Sequence, residues 1–334
     1  RTALAGVTVD LEAGTASSSI GTTAGIGNDT FSGVRSVRGS DFDDTLFGNA
    51  STSINDEFRP RGGNDAIDGR GGLGDFVRYS GASGNVIVDL GTDNQTTAVT
   101  TASDGFGGQD TLIRIENIRS GSGDDQLSGD VNDNFLRGGG GNDTLDGRDG
   151  NDVLYGEAGN DTLIGGFGDN TLRGGAGDDT LIGAATSQNA SAEFNRVDYR
   201  DALAGVTITL SGGLDGTTST ATSAGDAANI GTDTLVNAEF AYGSAFADTV
   251  TVVAGFNGNR FGGFFEFEGG GGDDTFTYNG DSVGRVGYRT ALAGVTVDLE
   301  AGTASSSIGT TAGIGNDTFS GVRSVRGSDF DDTL

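Results

Sequence analysis

GEAGNDTLIGGFGDNTLRGGAGDDTLIG, residues 156–183, returns to the same pattern every nine residues. That clock matches neither the 3.6-residue turn of a helix nor the simple alternation of a strand. Followed outward, it runs from Ser120 to Ile182 as seven consecutive nonapeptides: SGSGDDQLS, GDVNDNFLR, GGGGNDTLD, GRDGNDVLY, GEAGNDTLI, GGFGDNTLR and GGAGDDTLI. The eighth position is always leucine: Leu127, Leu136, Leu145, Leu154, Leu163, Leu172 and Leu181. The sixth is Asp125, Asn134, Asp143, Asp152, Asp161, Asn170 and Asp179, and the fourth is glycine except at Asn132.

Each slot has a physical reason. Three residues around the leucine make a strand long enough to aim one side chain inward. Glycine in the turn admits positive φ and lets carbonyls converge with no Cβ in the way. A carboxylate placed after such a turn lies beside those carbonyls. Two turns stacked about 4.8 Å apart would surround a cation with oxygen. A cage of carbonyls and carboxylates suits Ca2+; Mg2+ holds its water too firmly, and Zn2+ asks for nitrogen or sulfur.

Composition points the same way. Among 334 residues there is no Cys, no His and no Lys; all 19 basic residues are Arg. This excludes disulfides, thiol nucleophiles, a Ser-His-Asp triad, Schiff-base lysines and a P-loop. The net charge of −29 argues against a nucleic-acid partner, which needs cationic patches. Of the 48 acidic residues, 39 are Asp, an excess that solubility alone does not call for. No run of apolar residues is long enough to span a membrane, and no signal peptide is visible in this stretch. The chain is therefore expected not to be an enzyme.

A second, larger regularity frames the first. Residues 1–46 recur without a change at 289–334, an offset of 288 residues. Such identity, with a first residue of Arg, is expected of a piece taken from a longer tandem array. Inside the period, YSGASGNVIVDL (79–90) and YRDALAGVTITL (199–210) align with YRTALAGVTVDL (288–299). Each is followed by a Ser/Thr/Ala/Gly-rich stretch and then by a second block: 29–46, 110–127 or 233–250. The alternation in VTVDL and VTITL predicts strands, and no segment keeps a 3.6-residue apolar period. The expected organisation is a module over 1–78, a second over 79–198 holding the regular array, a third over 199–288, and the start of the next period at 289–334. The stretch TTAVTTAS (96–103) lacks the spacing of a ligand-binding face and reads as loop.

The nonapeptides resemble the RTX (repeats-in-toxin) unit G-G-x-G-x-D-x-U-x. Five units from Gly138 to Ile182 match closely, and the two before them are degenerate. Shorter pieces of the frame appear at 39–47, 60–68 and 269–277, adding Asp44, Asp65 and Asp274, with Asp332 as the second copy of Asp44. The resemblance implies an all-β parallel β-solenoid without notable helices. It would be a β-roll where the nonapeptides are regular, with broader parallel β-helix coils across the VTVDL and DTL blocks. It also implies two stacked edges, one of Asp125, Asp143, Asp161 and Asp179, the other of Asn134, Asp152 and Asn170, with several Ca2+ ions between successive members. Sites on the amide-containing edge would be weaker. Asp133 and Asp169 would point away, and for Asp29, Asp110 and Asp233 a metal role and a turn-capping role stand level.

Other motifs carry less. The Asn-Asp-Thr sequons fall within the nonapeptide frame, and DVNDN (130–134) has Phe135 where an EF-hand loop needs glycine. The cluster Phe256, Phe261, Phe264, Phe265 and Phe267 is expected to fill the core of a widened coil. By this resemblance the chain is expected to be a Ca2+-dependent structural repeat region of a large surface protein exported from a Gram-negative cell, with further copies of itself as a candidate partner. The competing expectation is a secretion and folding module attached to an exported enzyme or toxin.

Overall fold

The computed structural model describes residues 3–18, 26–92, 99–100, 103–184, 194–211, 219–223, 230–256, 264–280, 283–306 and 313–334. Every regular element among them is a strand, most of three to five residues. The short strands follow from a rule broader than the nonapeptide. Nearly every coil carries an acid or amide two residues before an inward apolar side chain, as in Asp44-Thr-Leu46, Asp75-Phe-Val77, Asp110-Thr-Leu112 and Asp248-Thr-Val250. Period two sends both residues of the pair to the same face, and a glycine turn then ends the strand.

The chain forms two compact units, Arg1–Glu157 and Ala158–Leu334. In the first, Ser36–Arg38, Glu57–Arg59, Phe76–Arg78, Asn117–Arg119 and Phe135–Gly140 make one parallel row. Its register stacks Val37, Phe58, Val77, Ile118 and Leu136 into one column, buried throughout. Between those strands the chain crosses to other rows, where Leu46, Ile67 and Leu112 stack, as do Val88, Leu127 and Leu145. In the second unit, Thr171–Ala176, Arg196–Asp198, Phe240–Tyr242, Phe265–Glu268, Gly284–Gly287 and Val322–Arg326 form a parallel row. The protein is thus an all-β parallel solenoid whose core is a set of one-residue-wide columns.

The modules depart from a purely parallel coil in one respect. Val206–Leu210 pairs antiparallel with Ser219–Ser223, which pairs antiparallel with Thr232–Val236. Thr232–Val236 then lies parallel to Thr180–Ile182, and Val206–Leu210 parallel to Thr249–Val252. The chain overshoots, doubles back through one strand, and only then fills the place beside the preceding coil. The same path recurs at Val7–Asp10, Thr15–Ser18 and Asn28–Thr30, and at Val295–Asp298, Thr303–Ser306 and Asn316–Ser320. TTAVTTAS follows it too: Val99–Thr100 and Ser103–Asp104 are antiparallel strand segments and not loop, the remainder lying outside the described residues. Thr and Val favour extended backbone. The returning strand has an alanine at its centre, Ala221 and Ala304 being buried, so no large apolar column announces it.

The phenylalanine cluster goes largely to the core. Phe256, Phe265 and Phe267 are buried. Phe264 is half-buried and meets Phe194 edge-on at 5.9 Å, while Phe261 lies outside the described residues.

Candidate metal centre

The glycine turns set the spacing of the site. A Cβ built on Gly139 would lie 2.2 Å from the Gly121 carbonyl oxygen, on Gly141 2.3 Å from that of Gly123, and on Gly177 2.0 Å from that of Gly159. All three have positive φ, between 104° and 132°. Turns stacked this closely bring their carbonyls together and admit no side chain. The first glycine of the unit makes room in a different way. A Cβ on Gly174 would sit 2.1 Å from Asp179 Oδ2, and on Gly269 1.8 Å from Asp274 Oδ2. Glycine there leaves space for the carboxylate five residues on.

The sixth-position side chains point inward and form ladders. Asp125 N–H donates to Asp143 Oδ1 at 2.8 Å, and Val86 N–H to Asp125 Oδ1 at 2.7 Å. In the second unit Asp161 N–H donates to Asp179 Oδ1 at 2.8 Å, and Asp179 N–H to Asp233 Oδ1 at 3.1 Å. On the other edge Asn134 N–H donates to Asp152 Oδ1 at 2.8 Å. Asp44 N–H donates to Asp65 Oδ1, and Asp248 N–H to Asp274 Oδ1. Each carboxylate thus spends one oxygen on the neighbouring coil. The second oxygens of Asp65, Asp75, Asp179 and Asp274 are buried with no hydrogen-bond partner.

An ionised carboxylate buried this way is costly unless a proton or cation joins it. Burial is the first cause in every case. It pushes Asp65 and Asp152 up to about 8, Asp179 to about 7 and Asp274 to about 9, with neighbouring carboxylates adding to the rise and the donated N–H opposing it. No set of three acidic side chains converges on a common point among the described residues. The donor set is therefore one carboxylate per turn together with turn carbonyls. That all-oxygen chemistry fits Ca2+.

The remaining candidates are held differently. Asn134 and Asn170 bring donors of their own. Asn134 Nδ2 donates to the Glu116 carbonyl at 2.8 Å, and Asn170 Nδ2 to the Gly168 carbonyl at 3.2 Å. The Asp44 carboxylate accepts from Val7 N–H, Ser40 N–H and Ser40 Oγ, and Asp332 from Val295 N–H, Ser328 N–H and Ser328 Oγ. Both oxygens of these two carboxylates are engaged within their own loops.

Spacing alone leaves Asp110 and Asp233 undecided; the structure puts both in the ladders and gives each an internal donor. The Tyr79 hydroxyl donates to Asp110 Oδ2 at 2.9 Å and that of Tyr199 to Asp233 Oδ2 at 3.0 Å, while Tyr288 bonds Asp317. Asp29, the counterpart of Asp317, is exposed. Asp133 and Asp169 do point outward, where Asp133 Oδ1 accepts from Asn151 N–H and Asp169 Oδ1 from Phe194 N–H, an outer ladder beside the inner one.

Sequence reasoning missed Asp56, Asp75, Asp104, Glu116 and Asp248, all buried. Asp56 N–H donates to Asp75 Oδ1 and Asp75 N–H to Glu116 Oε2, in the same ladder geometry. The acid-x-apolar pattern, read without the glycines, would have found most of them. Also missed were two arginines in the turns. Arg70 and Arg148 have φ of 68° and 72°, and their guanidinium groups donate to the Gly48 carbonyl and to the Gly129 and Gly91 carbonyls, respectively.

Comparison with known proteins agrees with this geometry. Residues 119–154, 128–163 and 155–185 match the family model described as the RTX calcium-binding nonapeptide repeat (4 copies). A search among curated proteins finds no match.

Proposed function

Since residues 119–185 are an array of RTX calcium-binding nonapeptide repeats, which bind several Ca2+ ions and mark the repeat region of a secreted protein, we propose a finer role: a Ca2+-dependent structural segment of a large surface protein of a Gram-negative bacterium, serving as adhesin stalk or as a building block of a surface layer or filament. The observation that carries it is the unchanged recurrence of residues 1–46 at 289–334. A secretion and folding module attached to an exported enzyme needs one modest array, whereas repeated large modules serve reach or assembly. On this reading the segment is not itself an enzyme, and its carboxylates are metal ligands and strand connectors.

Asp65, Asp143, Asp152, Asp161, Asp179 and Asp274, with carbonyls of the glycine turns, would hold the ions, whereas Asp125, which accepts from Val86 N–H, Gly121 N–H and Ser120, would cap its own loop. Ca2+ bound there supplies the positive charge that the stacked carboxylates lack. Asp44 and Asp332, satisfied by their own serines, serve as loop caps in this scheme, and Asn134 and Asn170 hold turn carbonyls through their amides. Without cation the ladders repel, and a chain with 63 glycines loses much backbone entropy on ordering. Binding to the folded state alone then supplies stability by mass action. Folding on reaching Ca2+-rich surroundings after export follows.

Far-UV circular dichroism during a Ca2+ titration, with Mg2+ as control, tests this. A cooperative gain of strand signal between roughly 10⁻⁴ and 10⁻³ M Ca2+, absent with Mg2+, is expected. A chain fully folded in excess chelator at neutral pH would overturn it.

A further inference from the structure

We propose that the outer face of the parallel row in the first unit binds an anionic polysaccharide, a column of arginines holding carboxylate or sulfate groups on its successive sugars. The register of the row sets Arg38 beside Arg59, and Arg119 between Arg78 and Arg137. Phe58 opposite Val77 brings Arg59 and Arg78 to adjoining rungs. Five like charges thus follow one another on strands about 4.8 Å apart. Alternate residues of a strand face opposite ways, so these side chains point away from the buried column of Val37, Phe58, Val77, Ile118 and Leu136. The Arg59 side chain is 48% exposed, and those of Arg78, Arg119 and Arg137 between 24% and 33%.

The other rows of this unit handle charge differently. The same outward position there carries Asp10 and Asp68 in one row, and Asp89 and Asp146 in another. Asp10, Asp68 and Asp89 each receive an arginine held at positive φ, respectively Arg70, Arg114 and Arg148. Those rows meet their counter-charge within the chain. On the arginine row the outward positions carry five arginines and two carboxylates, Glu57 shared by Arg59 and Arg78, and Glu157 shared by Arg119 and Arg137. Like charges on facing positions of neighbouring strands destabilise a sheet, and ion pairing alone would be met by alternating the two signs. The inner carboxylate ladder has this same form and calls for a cation. The outer guanidinium ladder calls for an anion.

The chemistry of the face selects the anion. A guanidinium fork takes a carboxylate or sulfate through two parallel N–H groups. Beside the column runs an apolar strip of half-buried rings: Phe76 lies 5.8 Å from Phe135, Phe135 lies 5.1 Å from Tyr155, and the Arg78 guanidinium sits over the Phe76 ring at 5.3 Å. An acidic polysaccharide presents the same two surfaces, charged groups at regular intervals and C–H faces between them, and its extended repeat is close to one rung of the sheet. The rings meet at 58° and 71°, so they do not offer the separate flat faces on which the bases of a single nucleic-acid strand stack. A second copy of the chain fits less well. Its Asp10, Asp68 and Asp89 already hold arginines, and two chains of net charge −29 repel. Coils stacked before and after would add rungs to this face rather than cover it. The inference names a partner for the structural-repeat segment and rests on that reading only for its extracellular setting.

Binding of dextran sulfate and of hyaluronate to the full chain in Ca2+, beside uncharged dextran and single-stranded DNA, provides the test. At least one acidic glycan should bind, sulfate or carboxylate being told apart by which, uncharged dextran should not, and added salt should weaken the binding. Arg78→Gln/Arg119→Gln should lower the affinity roughly tenfold, the worth of two exposed charge pairs. Arg78→Lys/Arg119→Lys, which keeps the charge and loses the fork, should lower it by less. Arg114→Gln, on another row, should leave it unchanged. DNA bound as tightly as the glycans, equal effects of the Gln pair and of Arg114→Gln, or a Gln pair that alters only self-association in sedimentation, overturns the proposal. A second measurement needs no variant. Modification by an arginine-selective dicarbonyl reagent, read by mass spectrometry, should show Arg59, Arg78, Arg119 and Arg137 protected by the bound glycan while Arg70 and Arg148 react as before; protection spread evenly over all of them sinks the idea. A chain that gains strand signal with Ca2+ yet binds neither glycan overturns this inference alone, and one that is folded in chelator and still binds overturns the Ca2+ reading alone.

Discussion

The two edges of the array in the second unit have similar backbone spacing and different chemistry. Along one run Asp161, Asp179 and Asp233, each N–H donating to the next carboxylate. Along the other run Asn170, Asn195 and Glu239, again with N–H groups donating to the next side chain, at 3.3 and 3.0 Å. The carboxylates offer acceptors only, and Asp179 Oδ2 is left buried without a donor. Asn170 carries an NH2 group and turns it on the Gly168 carbonyl and on Asn195 Oδ1. The amides of that edge are complete as translated. A carboxylate edge is complete only with a proton or a cation, and that difference makes one sensitive to its surroundings.

The largest effect should come from removing the cation and varying pH. Asp179 titrates at about 7, Asp65 and Asp152 at about 8 and Asp274 at about 9, each raised first by burial from an ordinary 3.8. An acid whose folded pKa is raised binds more protons folded than unfolded between those two values. Its contribution is complete below the unfolded pKa and is lost as pH rises through the folded one. Metal-free protein should therefore hold its strand signal at about pH 5 and lose it on titration to about pH 9. Ca2+ at saturating concentration should abolish that loss and release protons at neutral pH, measurable by calorimetry in buffers of different ionisation enthalpy. Melting in chelator that is independent of pH across this window would show that the ladders do not need a counter-charge.

Exchanging the two chemistries comes next. Asp179→Asn removes a charge and adds a donor beside the space that Gly174 leaves open. In chelator at about pH 8 the variant should be more stable than the parent, by roughly 1–3 kcal/mol, the cost of a buried group left unpaired. In Ca2+ it should lose one site and its stabilisation, about 2.7 kcal/mol at a hundredfold excess over the dissociation constant. Asn170→Asp should reverse both signs. Thermal melts of the four protein and metal combinations read this directly, and identical shifts with and without Ca2+ would separate the ladders from metal binding.

How much of this could be read beforehand follows from what each column is made of. The leucine column and the Asp125–Asp143 and Asp161–Asp179 steps were legible because glycine, acid and leucine recur in fixed register, and each slot has a single physical purpose. The β-solenoid follows from the same register. The doubling back at Thr15–Ser18, Ser219–Ser223 and Thr303–Ser306 was not legible, since their central residue is only an alanine and their Ser and Thr are residues that loops share. Asp75 and Glu116 escaped because Asp75 follows Gly74 directly, one residue short of the nonapeptide spacing, and the stretch before Glu116 has no glycine at all, so the frame fails while the acid-x-apolar pair persists. Tyr79 and Tyr199 escaped for a different reason: a single buried hydroxyl has no period, and only the fold shows that it reaches the top of a ladder 31 or 34 residues away.

A smaller effect should fall on both edges alike. A Cβ on Gly174 would meet Asp179 Oδ2 at 2.1 Å, and on Gly165 it would meet the Gly183 carbonyl at 2.5 Å and Asn170 Nδ2 at 2.7 Å. Gly174→Ala and Gly165→Ala should each cost about 1–3 kcal/mol through overpacking. In chelator the two should match. In Ca2+ only Gly174→Ala should also weaken metal affinity, because only there does the crowded atom belong to a carboxylate with an oxygen to spare. Titration of both variants followed by circular dichroism distinguishes crowding from loss of a ligand.

The smallest effect should come from Arg148, which supplies positive charge in a third way, from a tethered side chain. It occupies a position with φ of 72° that glycine would take with less strain, by about 1 kcal/mol. Against that, its guanidinium binds the Gly129 and Gly91 carbonyls and Asp89. The Asp89 side chain is 63% exposed, so this ion pair is worth little in salt. Arg148→Gly should thus change stability in Ca2+ by less than about 1 kcal/mol. In chelator and low salt the balance should tip toward loss, because the cation that faces Asp89, Asp146 and Asp130 is removed. Melting temperatures at low and high salt measure the difference, and a variant equally stable in both would mean that the turn needs the guanidinium for neither charge nor geometry.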